Sequence, residues 1–224
     1  GGEPLLHPRL CEFFRIAREI GIADWLILVT NGVLLHKAPD ELWELIDEIW
    51  LSIYPRVRLT KTVEEYAVLA RNHDVVFAPV VQNTFMVTIL NNRIESAELV
   101  GEIFKACKMT GEWSCHTVHG GRYYKCSPAP FMSRRLAKIG LTAGDFSLDS
   151  IALHNNPDLY GQLKDYLAEK KPLLSCQYCL GTSGPEERHH LVNPQGIELW
   201  RQEDHHPIIE EMQQKLLGKP PLRQ

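Results

Sequence analysis

The sequence predicts an α/β fold in the first part of the chain and a smaller α+β, cysteine-rich fold in the rest. Short apolar runs of strand length alternate with helical segments, which is typical of β-α crossovers and of a parallel sheet or part of a (β/α) barrel covered on one side by helices. Cysteines with ligand-like spacing occur only later in the chain. We therefore predict two domains, residues 1–94 and residues 95–224.

The composition is that of an ordinary globular protein. The 224 residues suffice for one large or two modest domains, with 44% hydrophobic and 23% charged residues. The net charge of -4 gives no reason to expect nucleic acid or an anionic membrane as a partner. No apolar run reaches the length of a membrane span. Four of the six cysteines have ligand-like spacing, so we predict a reducing cytoplasm rather than a disulfide scaffold.

The first helix and strand are indicated by apolar periodicity. Apolar residues recur at helical spacing between Pro8, which suits a helix start, and Gly21, which suits a helix end. A continuous apolar run over residues 25–29 then has the length of a strand, and Thr30-Asn31-Gly32 forms the turn after it. We predict a buried parallel strand.

The same alternation continues twice more. Asp40 is expected to cap a second helix ahead of an apolar strand at residues 49–54. Thr62 and Glu65 have the spacing of a capping box, and a third strand is predicted at residues 75–81. Ligands collect at the carboxyl ends of strands in such sheets. The residues at or near those ends are Gly1, Gly2, Glu3, Thr30, Asn31, Ser52 and Gln82.

Each of these rim residues taken alone is more often structural than functional. Thr-Asn-Gly is a common turn, and a buried serine hydroxyl is often satisfied within a protein core. Their shared placement on one rim is what favours a binding site. The second part of the chain is predicted to contain helices at residues 95–108, 131–139, 158–170 and 208–217 and a hairpin strand at residues 122–125.

The four cysteines of the second part have the spacing of a metal centre. Ten residues separate Cys115 from Cys126, and the Cys-x2-Cys pair of Cys176 and Cys179 follows later. Thiolates are soft ligands for zinc or an iron–sulfur cluster, and the spacing alone does not choose between them. Cysteine also packs readily in protein cores. We interpret Cys11 as a packed residue, and we prefer the same interpretation for Cys107, with a role as an extra ligand as the alternative.

Together these motifs resemble the radical S-adenosylmethionine enzymes that carry a C-terminal auxiliary iron–sulfur domain of the SPASM or twitch type. The loop Gly1-Gly2-Glu3-Pro4 looks like the family's Gly-Gly-Glu motif, which contacts the methionine amino group of the cofactor. Thr30-Asn31-Gly32 resembles the turn after the next barrel strand, and Ser52 stands where the family often places a ribose contact. Residues 121–128 with Cys176-Gln177-Tyr178-Cys179 are similar to a single-cluster twitch domain.

The resemblance implies a partial radical S-adenosylmethionine barrel over residues 1–94 and a twitch-like domain over residues 95–224. Cys115, Cys126, Cys176 and Cys179 would bind an auxiliary 4Fe-4S cluster that conducts electrons. The family's Cys-x3-Cys-x2-Cys motif, which binds the second 4Fe-4S cluster, is absent and would lie upstream of Gly1. We therefore expect a fragment of a longer oxidoreductase or maturase that generates a 5′-deoxyadenosyl radical, and we expect the fragment alone to be inactive.

The partners implied by the resemblance are a substrate, which could be a peptide, a sugar or a small molecule, and an electron donor such as flavodoxin or ferredoxin. No catalytic residue is assigned. One alternative is a non-catalytic binding module that zinc or an iron–sulfur cluster stabilises, although this leaves the rim motifs unexplained. Another is an iron–sulfur electron carrier, which has no need of the long β/α segment.

Overall fold

The computed structural model describes residues 2–141, 144–189 and 203–218. The chain divides into two compact units. The first unit comprises Gly1–Phe85 with Arg188–His190, and the second comprises Met86–Glu187 with Leu191–Gln224. The assignment of residues 1–94 to a partial barrel and of residues 95–224 to an auxiliary cluster domain stays a prediction.

The first unit is built on a three-stranded parallel sheet. Its strands are β1 (Ile27–Thr30), β2 (Glu48–Ile53) and β3 (Val76–Val81), in the order β1-β2-β3. The central strand β2 pairs in parallel with both neighbours, so that Thr30 lies beside Leu51. The three strands predicted from the apolar runs are confirmed, with ends that shift by about two residues, as is usual for element boundaries.

Three α-helices belong to this unit: α1 (Leu10–Ile20), α2 (Asp40–Leu45) and α3 (Val63–Asn72). Gly21 ends α1 in the left-handed conformation, as predicted. The capping box at the start of α3 is also confirmed, because Thr62 and Glu65 exchange both of its hydrogen bonds. The prediction that Asp40 caps α2 is wrong. Pro39 occupies the cap position, and Asp40 lies in the first turn, where its charge favours the helix dipole.

The helices cover one face of the sheet. Leu28, Ile49 and Leu51 pack into a buried cluster with side chains from α1, α2 and α3. The opposite face carries apolar side chains that are 36–49% exposed, so the predicted burial of the first strand holds for one face only. An apolar run reports hydrophobicity but not how many faces are covered. The exposed side chains of this face are Ile27, Val29, Trp50, Val76 and Val80.

The second unit combines short strands with helices. Three strands, β5 (Thr117–His119), β6 (Arg122–Tyr124) and β7 (Ser150–Ala152), form an antiparallel sheet in that order, and β6 confirms the predicted hairpin strand. The predicted helices are present as α4 (Ala97–Ala106), α5 (Met132–Ala137), α6 (Leu159–Ala168) and α7 (His206–Leu217). Two further short strands, β4 (Thr84–Met86) and β8 (Glu186–Arg188), pair with each other, and each includes residues of both units.

Short 3-10 helices complete the second unit, and two of them carry or follow the late cysteine pair. These two are Leu174–Tyr178 and Gly181–Ser183, and the others are Ala129–Phe131 and Phe146–Asp149. Helices α4 and α7 pack around a buried apolar cluster that includes Leu99 and Met212. Among the residues that the structure describes, no helix combines the length and the apolar character needed to cross a bilayer.

Gly32 and Gly21 provide a matched pair for testing how tightly the turn after β1 packs. Both have positive φ, at 75° and 59°. A Cβ on Gly32 would overlap the Leu51 side chain and approach Leu59 to 3.0 Å, whereas a Cβ on Gly21 would meet nothing within 4 Å. We expect Gly21→Ala to lower the free energy of unfolding by about 1–2 kcal/mol.

Gly32→Ala should lower it by a further ~1–3 kcal/mol, because overlap with the core is added to the backbone strain. Urea denaturation of both variants measures the difference. Equal losses would show that the turn can move away from Leu51 without cost.

Candidate cofactor and metal sites

The Glu3 carboxylate joins the first loop of the chain to the end of β1. Its Oε1 accepts hydrogen bonds from the Thr30 hydroxyl at 2.7 Å and from the backbone N–H of Leu5 at 3.0 Å. Its Oε2 accepts one from the backbone N–H of Asn31 at 2.8 Å. Hydrogen bonds to a carboxylate are stronger than neutral ones. The carboxylate therefore fixes the loop and the turn to each other.

Thr30 and Asn31 also hold the turn itself. The Thr30 side chain is buried and accepts a hydrogen bond from the backbone N–H of Gly32 at 3.0 Å. The Asn31 side-chain oxygen accepts one from the backbone N–H of Val33 at 2.9 Å. Both side chains thus have structural roles in the rim. These roles fix the backbone around the predicted cofactor site.

The other predicted rim residues do not take part in the hydrogen bonds around Glu3. Ser52 is buried near the carboxyl end of β2, in register with Val80 on β3. Gly2 is exposed, with a φ of 133° that favours glycine, and Gly1 lies outside the described residues. Glu3, Thr30 and Asn31 are therefore joined directly, and Ser52 lies on the neighbouring strand. That these residues bind S-adenosylmethionine stays a prediction.

The four predicted metal ligands come from separate parts of the second unit. Cys115 precedes β5, and its backbone N–H donates to the carbonyl of Met109 at 2.7 Å. Cys126 follows β6 and is buried. Cys176 lies within the 3-10 helix Leu174–Tyr178, and the buried Cys179 follows it directly.

The thiols of the second unit lie near one another: Cys176 packs against the cluster of Cys126, and the pKa values of the thiols reflect their shared burial. Burial raises the pKa of Cys126 to about 12, and the thiols of Cys179, Cys107 and Cys115 add to this. Burial raises the pKa of Cys179 to about 11, with a further contribution from Cys107. Burial also raises the pKa of Cys176, and both Cys179 and Cys126 reinforce the effect. Without a cation the buried thiols stay protonated, and a bound metal would displace those protons.

Cys107 is the residue for which the sequence favoured a packed role and left an extra ligand as the alternative. It caps the C-terminal end of α4, and a Cβ on Gly181 would overlap its thiol. The backbone N–H of Gly181 meanwhile donates to the Cys179 sulfur at 3.2 Å. Gly181 is therefore the close neighbour of two thiols that lie far apart in the chain. The close approach of Cys107 to Gly181 favours the alternative of a ligand role. Cys11 packs against the first unit's core, as predicted.

The donor chemistry of the second unit fits a thiolate-held metal or cluster. Five cysteines, which are Cys107, Cys115, Cys126, Cys176 and Cys179, are free thiols. In the part of the chain that the structure describes, no group of three or more cysteine, histidine, aspartate or glutamate side chains is placed so that it could hold a metal ion. The thiols thus affect one another's pKa values, but in the described residues no three of them are arranged as the ligands of one metal ion.

Asp149 holds the segment that carries Cys176, and sequence reasoning missed this role. Its carboxylate is 2% exposed and accepts hydrogen bonds from the backbone N–H groups of Leu174 at 2.6 Å and Ser175 at 2.8 Å. Its backbone carbonyl accepts a hydrogen bond from the Tyr166 hydroxyl. These contacts satisfy donors at the start of the 3-10 helix, where no other partner comes from within the helix.

Tyr166 extends this network to the residue before Cys126. Its hydroxyl accepts a hydrogen bond from the backbone N–H of Lys125 at 3.0 Å. The Lys125 ammonium lies 4.6 Å from the centre of the Tyr166 ring and donates to the carbonyl of Glu169 at 2.8 Å. Burial lowers the pKa of Lys125. Asp149 and Tyr166 thus connect the backbone beside Cys126 to the segment that carries Cys176.

Comparison with known proteins gives a partial match. No protein-family model matches the chain. Over 54 residues the chain is 46% identical to GTP 3′,8-cyclase of Chlorobaculum tepidum, a radical S-adenosylmethionine enzyme. Part of this chain is similar to an enzyme of that family. The matched segment covers 24% of this chain and 16% of the cyclase. The match supports, at this coarse level, a relationship to radical S-adenosylmethionine enzymes.

Glu3→Gln tests the link between the first loop and β1. Glutamine keeps one acceptor oxygen but places an amide N–H₂ where the carboxylate accepts hydrogen bonds, so one or more donors lose a partner. We expect the free energy of unfolding to fall by about 1–3 kcal/mol. Urea denaturation measures it. Glu44→Gln on the exposed side of α2 is the matched control and should change stability by less than about 0.5 kcal/mol. Equal losses of stability in Glu3→Gln and Glu44→Gln would contradict the conclusion that the Glu3 carboxylate fixes the loop to β1.

Asp149→Asn tests the support of the Cys176 segment. Asparagine can accept from one of the two backbone N–H groups and leaves the other facing an amide N–H₂. We expect a loss of about 1–3 kcal/mol in the free energy of unfolding. Asp165→Asn on the exposed surface of α6 is the control. Amide hydrogen exchange at Leu174 and Ser175 should accelerate in Asp149→Asn and not in Asp165→Asn. Unchanged exchange at both amides in Asp149→Asn would contradict the role of Asp149 in holding the Cys176 segment.

Proposed function

We propose that this chain is part of a radical S-adenosylmethionine enzyme, with a cofactor-binding rim in the first unit and a thiolate-held iron–sulfur cluster in the second. The observation that carries the proposal is the packing of the thiols in two neighbouring places: Cys176 packs against the buried cluster of Cys126, and Gly181 contacts both the Cys107 thiol and the Cys179 sulfur. The partial likeness to a radical S-adenosylmethionine enzyme supports the same conclusion.

In the first unit, Glu3 is a positioning residue. Because its two oxygens already accept three hydrogen bonds, its carboxylate orders the Gly2-Glu3 loop against Thr30 and Asn31. The backbone of that loop is then available to the amino group of S-adenosylmethionine, and Ser52 to its ribose. When bound to a reduced cluster, S-adenosylmethionine supplies radical chemistry, and the protein orients and shields it.

In the second unit, Cys126, Cys176 and Cys179 supply three thiolates. Cys115 is the fourth ligand that the sequence predicts, and Cys107 is the alternative that its close approach to Gly181 favours. A cluster held by four thiolates supplies one-electron transfer. Asp149 and Tyr166 keep the two halves of this ligand set in place.

The role of the second unit would be that of an electron conduit in a substrate oxidation or maturation reaction. A peptide, a sugar or a small molecule is the proposed substrate class, and flavodoxin or ferredoxin is the proposed electron donor. The proposed location is the cytoplasm, where thiols remain reduced.

The decisive measurement is the iron, zinc and acid-labile sulfide content of the chain purified without oxygen. We expect about four iron and four sulfide per chain, and their loss in Cys126→Ala. Cys107→Ser and Cys115→Ser identify the fourth ligand, because only the true ligand should reduce the cluster content. Cys11→Ser, which lies in the first unit's core, is the control and should leave it unchanged.

About one zinc per chain without sulfide would contradict the electron-transfer role. It would indicate the alternative of a zinc-stabilised binding module. Cluster content that survives Cys126→Ala would show that Cys126 is not one of its ligands and would contradict the ligand set proposed here.

A further inference from the structure

A pocket of about 510 Å³ lies beyond the carboxyl ends of β2 and β3 in the first unit. Its volume falls within the roughly 300–1,000 Å³ that small-molecule sites occupy. It is separate from the residues that Glu3 joins. The residues that line it are Pro55, Arg56, Asn83, Thr84, Arg188 and His189.

The charge of the lining favours an anion. Two of its six residues are arginines and one is histidine, and none of the six is acidic. A guanidinium group presents a planar fork of donors that matches a carboxylate or a phosphate group. The Asn83 and Thr84 side chains add further polar groups to the same wall.

Arg56 is carried by an unusual backbone conformation. It follows β2 after Tyr54 and Pro55, and its φ is 65°, in the left-handed region that glycine normally occupies. This conformation costs a residue with a side chain about 1–2 kcal/mol. The backbone N–H of Val57 donates to the carbonyl of Tyr54 at 3.3 Å and closes the turn around Arg56. Such outliers concentrate at functional sites.

His189 forms a wall that aromatic contacts hold in place. Its ring lies 4.9 Å from that of Tyr54 and 5.0 Å from that of Phe85, which are 5.7 Å from each other. Its backbone N–H donates to the carbonyl of Asn83 at 2.8 Å. Three separate segments of the first unit are therefore joined around the pocket. A wall formed in advance reduces the ordering that a ligand must bring about.

We propose that this pocket binds the phosphate or carboxylate group of a small molecule, with Arg56 and Arg188 as its charged partners. The identification of that molecule as the enzyme's substrate rests on the proposed function. Binding itself requires neither a cluster nor S-adenosylmethionine. The two proposals can therefore fail independently.

The test is isothermal titration of the full chain at low salt with inorganic pyrophosphate and, separately, with benzoate. We expect saturable binding of one anion per chain, and the preferred anion identifies the phosphate or carboxylate source. Arg56→Met and Arg188→Met should each weaken binding at least about tenfold, since each removes a charge-assisted contact. Arg58→Met is the matched control, because Arg58 is exposed nearby but does not line the pocket, and it should change affinity less than about twofold.

The proposal is overturned if neither anion binds saturably up to about 10 mM, where low-affinity contacts would already be detected. It is also overturned if Arg58→Met weakens binding as much as Arg56→Met, which would indicate attraction to general surface charge. Urea midpoints of the variants show whether each is folded, and Arg56→Met decides the outcome if Arg188→Met is not. Saturable anion binding by a chain that holds no iron would support the pocket and contradict the proposed function.

Discussion

The parallel pairing of β2 with both of its neighbours determines where every candidate binding feature of the first unit lies. Because β1, β2 and β3 run in the same direction, their carboxyl ends meet at one edge of the sheet. Thr30 ends β1, Ser52 lies near the end of β2, and the arginine-lined pocket begins just beyond β2 and β3. An antiparallel arrangement would send these groups to opposite edges.

Two carboxylates of this chain act on the backbone rather than on a ligand. Glu3 accepts hydrogen bonds from the backbone N–H groups of Leu5 and Asn31, and Asp149 accepts them from those of Leu174 and Ser175. In each case a segment that carries candidate ligands is connected to a distant part of the same unit. A carboxylate with both oxygens occupied in this way is poorly suited to proton transfer. Its contribution to chemistry is to limit the positions that its neighbours can adopt.

The elements of the fold were predictable where a local signal specifies them. Apolar runs gave the three parallel strands, and the Thr62–Glu65 pair gave the start of α3. The role of Asp149 was not predictable, because it comes from contacts with Leu174 and Ser175 that no spacing rule encodes. For Cys107 the sequence left packing and a ligand role open, and only the contact with Gly181 bears on that choice. The pocket around Arg56 was missed for the same reason, since His189 joins it from the far end of the chain.

The hydrogen bond between Glu3 and Thr30 spans 27 residues and turns the start of the chain into a closed ring. Closing such a ring restricts the chain, and the loss of entropy grows only slowly with ring size. This loss of chain entropy occurs when the first unit folds, before any ligand binds. A small molecule that contacts both the loop and the turn then meets two segments that are already joined. Its affinity is not reduced by the entropy of bringing them together.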